Sequence, residues 1–373
     1  MPLSRIRSTA IWFSRKLGCR RNGVQQTEAE NAATRDMTGL SSLNTRCLHT
    51  NDKRLLRILL AAACLSLFLQ KTFFEPDPGI AIRKSESVLD ARVFFTPNRT
   101  TESAGRDVTV VTTFFDIGPF EKGSPGNYFT RTKYYLWSRS LMHIQNPLIV
   151  FTDSERFASH MKEQHNRSME NVLIILLNRN SSWAFKLRNQ IEDIFNSPGY
   201  PKHLQNTVNA EYACAQLAKY DVIARAARDN YFKTRYFAWV DVGYLRESRL
   251  ESKFCMKVPN GFDDKKIVMG LINSSLSMST PVNDIFKENM VWVGGGLFLG
   301  EKSVIIQHEK QFKQAVDYFI SVRLINSDQQ VIYAMFSKEG RQVVKPKVEL
   351  QINRPPRDNE WFYLDTIMTH MMT

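Results

Sequence analysis

Along this chain the hydrophobic and polar positions fall into three regimes: a polar opening without period, one apolar block, and a long body in which short apolar runs alternate with helical stripes. In the body, residues 108–115 form a β-branched run closed by Asp116 and a loop from Gly118-Pro119 to Gly126. A helix over 128–141, a strand over 148–151, a helix over 155–165 capped within Thr152-Asp153-Ser154, and a strand over 172–177 follow. This alternation predicts an α/β fold with a mostly parallel sheet and right-handed crossovers. Residues 178–207 hold Pro198, Gly199 and Pro201 and predict irregular structure with one short helix. Leu217, Ile223 and Ala224 then mark the apolar stripe of a long helix over 209–230.

That helix runs into Phe237-Ala-Trp-Val-Asp241-Val-Gly243, an apolar run too short for a helix and rich in β-formers, as in the middle of a parallel sheet. Asp241 ends it. In open α/β sheets ligands bind beyond the carboxyl ends of the strands, so an acid there faces a crevice, where it could hold a hydrated divalent metal against a diphosphate. The plainer alternative is an Asp capping a turn, with Gly243 supplying positive φ. Further on, Gly294-Gly295-Gly296 precedes an apolar run. Three glycines suit either close approach of a backbone or ligand, or a flexible loop. An amphipathic helix is expected over 303–322, and Ser327 or Asp328 could cap another that carries Val331, Ile332 and Met335 inward. The apolar cluster at 361–364 should dock on the body.

Before the body, residues 1–54 are basic and Ser/Thr/Asn-rich and read as a cytosolic disordered tail, or, because no acid precedes Glu28, as a mitochondrial transit peptide. Residues 55–74 are the apolar block. Its charge-free core, 58–69, is short, but Arg57 and Lys71 can snorkel, and 55–74 then covers about 30 Å, enough to span a bilayer. Lys53, Arg54 and Arg57 place the preceding flank in the cytosol, which predicts a signal anchor of a type II, single-pass protein. A cleaved signal peptide would lie nearer the N-terminus. The N-glycosylation sequons at Asn98, Asn166, Asn180 and Asn273 all follow this block, which supports a lumenal body. Residues 75–106 read as a stem, and 107–373 as the lumenal domain.

The net charge of +13 adds little, because residues 1–57 hold 11 Lys/Arg against 4 Asp/Glu and so carry about half of the excess. With no zinc spacing, RNA-binding signature or Walker loop, nucleic acid is not an expected partner. The absence of G-x-G-x-x-G after the first strand disfavours a dinucleotide oxidoreductase. Of five cysteines, Cys214 and Cys255 lie in the body, as a disulfide or as two buried thiols.

Taken in order, Val110-Val-Thr-Thr-Phe-Phe-Asp116-Ile-Gly118, Asn146-Pro-Leu-Ile-Val-Phe-Thr152, Phe237-Ala-Trp-Val-Asp241-Val-Gly243, Gly294-Gly-Gly296 and Asp328-Gln329 resemble the HtrL/YibB family over roughly residues 107–340. The resemblance implies a glycosyltransferase of GT-A-like, Rossmann-like fold in the Golgi or ER membrane, with a nucleotide-sugar donor and a glycan or glycoconjugate acceptor. It implies that Thr112, Phe114 and Asp116 lie near the base, and that Lys219, Asp221 and Arg225 are the helix positions from which a polar residue reaches the donor. Asp241 matches the first acid of an Asp-x-Asp metal motif, Gly294 to Gly296 an acceptor-side loop, and Asp328 a late acid that serves as general base. Gly243 stands where the second acid would be, which weakens the expectation of Mn²⁺ or Mg²⁺ and leaves open that Lys or Arg replaces the metal. The alternative is a lumenal binding or scaffold protein on a degenerate transferase fold.

Overall fold

The computed structural model describes residues 90–96, 107–164, 171–247, 253–357 and 360–371. The expected tail, the 55–74 anchor, and Asn98 and Asn166 lie outside these residues. Among the described residues no helix is long and apolar enough to cross a membrane. Of the other sequons, Asn180 is exposed and Asn273 partly buried.

The strands are β1 (Ala91–Phe95), β2 (Val108–Phe114), β3 (Phe120–Glu121), β4 (Tyr128–Phe129), β5 (Leu148–Thr152), β6 (Val172–Leu177), β7 (Tyr236–Val240), β8 (Phe254–Met256), β9 (Lys266–Leu271), β10 (Val293–Glu301), β11 (Glu349–Asn353) and β12 (Thr369–Met371). Eight form one sheet in the order β1-β6-β5-β2-β7-β10-β9-β11. From β6 to β7 the neighbours are parallel, as the alternating pattern predicts. Beyond β7 the sheet turns mixed: β10 is antiparallel to both β7 and β9, and β11 is parallel to β9. At the other edge β1 pairs antiparallel with β6, so the stretch read as stem supplies an edge strand.

Side chains alternate across the sheet. Val111, Ile149, Phe151, Phe237 and Trp239 join one core with the helices Arg188–Phe195, Ala210–Asp229, Lys302–Ser321 and Asp328–Phe336. Val110, Val150, Ala238 and Val240 join the other with the helices Glu155–Gln164 and Tyr363–Met368. Phe237 and Trp239 are at most 1% exposed, and each such burial contributes about 1.5–3 kcal/mol.

The Ala210–Asp229 helix starts where the Asn209 side chain accepts from the Tyr212 amide and stops at Asn230, whose φ of 40° is left-handed. Residues 128–141 split into β4, a helix (Arg131–Ser138) capped by Thr130, and a 3-10 turn (Arg139–His143). Residues 178–207 form two α-helices, Trp183–Lys186 and Arg188–Phe195, where one was expected. Gly294 to Gly296 are not a loop: they lie inside β10. Nor does a Cys214–Cys255 disulfide form. Cys214 is a free thiol in the core on one side of the sheet, while the residues flanking Cys255, Phe254 and Met256, pack into the core on the other. Burial pushes the Cys214 thiol up to about 12.

Candidate active site

The chain winds outward from β2 through β5 to β6 and then resumes on the other side of β2 with β7, so β2 and β7 form a topological switch point. A cavity of about 930 Å³ opens beyond their carboxyl ends, lined by residues that include Asp116, Asp241 and Gly243. Its walls are aromatic on three sides: Tyr134 and Trp137 from the Arg131–Ser138 helix, Tyr212 from the Ala210–Asp229 helix, and Trp361 and Phe362 from the C-terminal segment.

Two charged side chains, Lys219 and Asp241, form the floor, and Asp328 lies buried beneath them. Lys219, 2% exposed, places Nζ 3.0 Å from Asp328 Oδ2, 3.0 Å from the Gly295 carbonyl and 3.3 Å from Asp241 Oδ1. Burial alone would lower the Lys219 ammonium, but Asp241 and Asp328 outweigh it and hold its pKa above the ordinary value. Asp241 Oδ1 also accepts from the Trp239 indole at 2.7 Å. Its side chain is 36% exposed, against 1% for Asp328. Asp328 is the first residue of its helix, behind an N-cap Ser327 that makes no side-chain cap bond, so its carboxylate is turned inward onto Lys219 instead of capping. Burial raises its pKa, as does Asp241, and Lys219 opposes both.

The glycines of β10 make these contacts sterically feasible. A Cβ on Gly295 would overlap the Asp328 carboxylate, and one on Gly296 would stand 2.6 Å from the Tyr244 ring. Close packing therefore explains the run, and flexibility does not. Gly243 likewise has no positive φ: it stands in a turn closed by the Tyr244 amide donating to the Asp241 carbonyl at 2.8 Å, and conformational freedom does not explain it. A Cβ there would come within 2.8 Å of the Trp137 ring. Trp137 fills the space a second acid would need, and Phe129 and Tyr134 pack edge-on against it, each 5.2 Å away.

The donor set does not fit a divalent metal at Asp241. Lys219 already lies against both oxygens, 3.3 Å from Oδ1 and 3.4 Å from Oδ2. A dication coordinated at about 2.0–2.1 Å would have to share that carboxylate with the ammonium. Among the described residues no group of three His, Cys, Asp or Glu could hold a metal.

The other residues expected at the site are dispersed. Asp116 lines the cavity, where Arg131 pairs with its Oδ2 at 2.5 Å. Thr112 does not; its side chain is fully buried within the sheet, and Thr113 and Phe114, nearer the carboxyl end of β2, line the cavity instead. Asp221 points to the Lys302–Ser321 helix and bonds Lys313 at 2.7 Å, and Arg225 pairs with Asp229 at 2.6 Å. Asp328 does not line the cavity, so the geometry gives the expected general base the place of a buried counterion. Lys122, Tyr134, Trp137 and Arg246 line the site without having been singled out in the sequence. For two of them a signal existed, since Tyr134 and Trp137 stand three apart, as neighbours on one helix face.

An open sheet with helices on both faces and a crevice at its switch point defines an α/β protein of the doubly wound kind. Within that class the chain belongs to the HtrL/YibB family, whose sequence model, described as a bacterial protein of unknown function, matches residues 106–344. β11 and the Trp361–Phe362 wall lie beyond the matched part. Among solved structures, mouse xyloside xylosyltransferase 1 in its apo form is similar at 9% identity and a TM-score of 0.35, over 66% of this chain and 85% of that one. A comparison with curated proteins gave no match.

Proposed function

We propose that the protein is a glycosyltransferase that moves a sugar from a nucleotide-sugar donor to a glycan or glycoconjugate acceptor. Asp241 carries this reading: it is a partly exposed carboxylate at the end of β7, on the floor of a 930 Å³ crevice, fixed by Trp239 and Lys219. As the acceptor oxygen bonds to the anomeric carbon, its proton passes to Asp241 and the sugar–phosphate bond breaks with its electron pair leaving on the diphosphate. The aromatic walls suit stacking on a base and on the apolar faces of sugar rings. Residues 55–74 would anchor the chain in the Golgi or ER membrane with the crevice in the lumen, which protease protection in intact microsomes tests; digestion of the body without detergent overturns that topology.

The activity test is turnover of a panel of nucleotide sugars by the full-length protein in detergent. Asp241→Asn should reduce turnover of the accepted donor by about 10²–10⁴-fold, the span a positioned base supplies, while the melting temperature barely moves. The burial of Asp328 favours a second reading, a binding or scaffold protein. Nucleoside diphosphate binding with no donor consumed would establish it.

A further inference from the structure

Resting on the nucleotide-sugar reading, we infer that the acceptor is an uncharged sugar, held in the crevice through its hydroxyls by three amides, Gln216, Asn289 and Gln329. All three line the cavity and are only partly buried. The fold fixes what two of them offer. Asn326 Oδ1 accepts from the Ser327 amide at 2.8 Å, so Asn326 Nδ2 must donate, and it faces the Phe286 carbonyl at 3.2 Å and Asn289 Oδ1 at 3.1 Å. Asn206 Nδ2 donates to that same Asn289 oxygen at 2.8 Å. Asn289 is thereby left with an Nδ2 that finds no acceptor among the described residues. Gln329 is the mirror case: its Nε2 donates to the Val293 carbonyl at 3.1 Å, and its Oε1 is left over. Gln216 makes no hydrogen bond among the described residues, so it offers both.

Their positions follow from one helix and from the order of the sheet. Tyr212, Gln216 and Lys219 stand four and three residues apart on one face of the Ala210–Asp229 helix, which puts Gln216 a turn away from the floor. Gln329 Cγ would lie 3.2 Å from a Cβ on Gly295, the residue whose carbonyl receives Lys219. In the sheet, β7 lies between β2, whose end leads into Asp116, and β10, whose first residue Val293 bonds Gln329. Asp241, at the end of β7, therefore stands between the two. A nucleotide sugar on the Asp116 side meets a sugar on the Gln329 side at the carboxylate that takes the acceptor's proton. A hydroxyl both donates and accepts, so a sugar uses all three amides. An ionised phosphate has no hydrogen for Gln329 Oε1, and an ammonium has no lone pair for Asn289 Nδ2. Of the cations beside this stripe, Lys219 already meets Asp241 and Asp328, and Lys122 donates to the Tyr212 hydroxyl at 3.0 Å.

Saturation-transfer NMR on the full-length protein, in a detergent without a sugar head group, tests this. The probes are the methyl glycosides of glucose, galactose, mannose, xylose and N-acetylglucosamine, each alone and with uridine or guanosine diphosphate. At least one should bind, with a Kd unchanged between about 0.05 and 0.5 M salt, because no ion pair is made. Gln216→Ala and Gln329→Ala should each weaken it about 2–10-fold, the worth of one neutral hydrogen bond. Gln216→Ala removes no hydrogen bond within the described residues, so its melting temperature stays put and the lost affinity reports the sugar alone. No glycoside bound in any condition, or full-strength binding by both variants, overturns the amide site and leaves the nucleotide-sugar reading to stand on donor turnover. Amide-dependent binding of a glycoside with no nucleotide sugar consumed keeps the site and overturns the transferase reading.

Discussion

Two lysines in this protein each stand between two carboxylates, and the Ala210–Asp229 helix contributes to both clusters. Lys219 joins Asp241 and Asp328 at the crevice. Two positions along, and so about 200° around the helix, Asp221 meets Lys313, which also bonds Glu309 at 2.5 Å. Burial of the acids does not mark the crevice, since Asp221 and Glu309 are at most 8% exposed whereas Asp241 is 36% exposed. Completeness of charge does. Arg228 bonds Glu309 at 3.1 Å, so the outer cluster sets two cations against two anions. The crevice cluster sets one against two and turns the surplus carboxylate, Asp241, toward the cavity. An ion pair thus says little about function until its charges are counted and its open side is located.

The comparison breaks most directly at its two lysines. Lys219→Met strands two carboxylates with no cation and should cost about 3–5 kcal/mol, the usual effect of breaking a buried pair. Lys313→Met should cost less, about 1–3 kcal/mol, because Arg228 still pairs with Glu309 and only Asp221 loses its cation. Urea denaturation of both variants measures the gap, and equal losses would remove the distinction between the clusters.

Acid sharpens it next. His308 is buried beside the long helix, its ring 5.7 Å from that of Tyr220, and its Nδ1 faces the Gln311 amide at 3.1 Å. Burial pushes its pKa down to about 3, whereas the unfolded value is about 6.5. Between those values the unfolded chain holds the extra proton. Stability contributed by neutral His308 is therefore complete above pH ~6.5 and falls by up to about 1.4 kcal/mol per pH unit as pH drops toward 3. Thermal denaturation from pH 7 to 4 should show this slope, and His308→Gln should flatten it.

Gly243→Asp restores the second acid in sequence. Because its Cβ meets Trp137, it should cost about 1–3 kcal/mol through overpacking and bring no Mn²⁺-dependent rise in melting temperature. Such a rise would show that the crevice differs from a metal site by that one residue. The smallest effect belongs to Arg225→Ala, which removes a partly exposed i,i+4 pair with Asp229, costs about 0.3–0.5 kcal/mol and leaves donor turnover unchanged. Lost turnover would return Arg225 to the site.

The parallel half of the sheet was legible because β2, β5, β6 and β7 are buried on both faces and so read as short apolar runs or, in β2, as a β-branched run. β9 and β11 were not read as strands. Lys266-Ile-Val-Met-Gly-Leu271 includes a Gly, and every residue of β11 is only half-buried, so neither has the apolar density that marked β7. Asp241 was legible for the same reason as its strand, standing at the end of an apolar run. Arg246 and Trp361 carried no local period, since a turn and a C-terminal segment bring them to the cavity.

What the sequence determined by itself was periodicity and its interruptions: which segments are strands or helices, where Asn209 and Asn230 end the long helix, and which acid closes β7. These depend on neighbours within about one helical turn or strand. Tertiary structure alone decided which of Lys219, Asp221 and Arg225 faces the crevice, that Asp328 is a counterion sealed behind Gly295, and that Trp137 occupies the place of the missing acid. Those outcomes follow from contacts between elements far apart in the chain, 109 residues in the case of Lys219 and Asp328. A residue's type fixes the chemistry it can perform, and the packing around it fixes which partner is within reach.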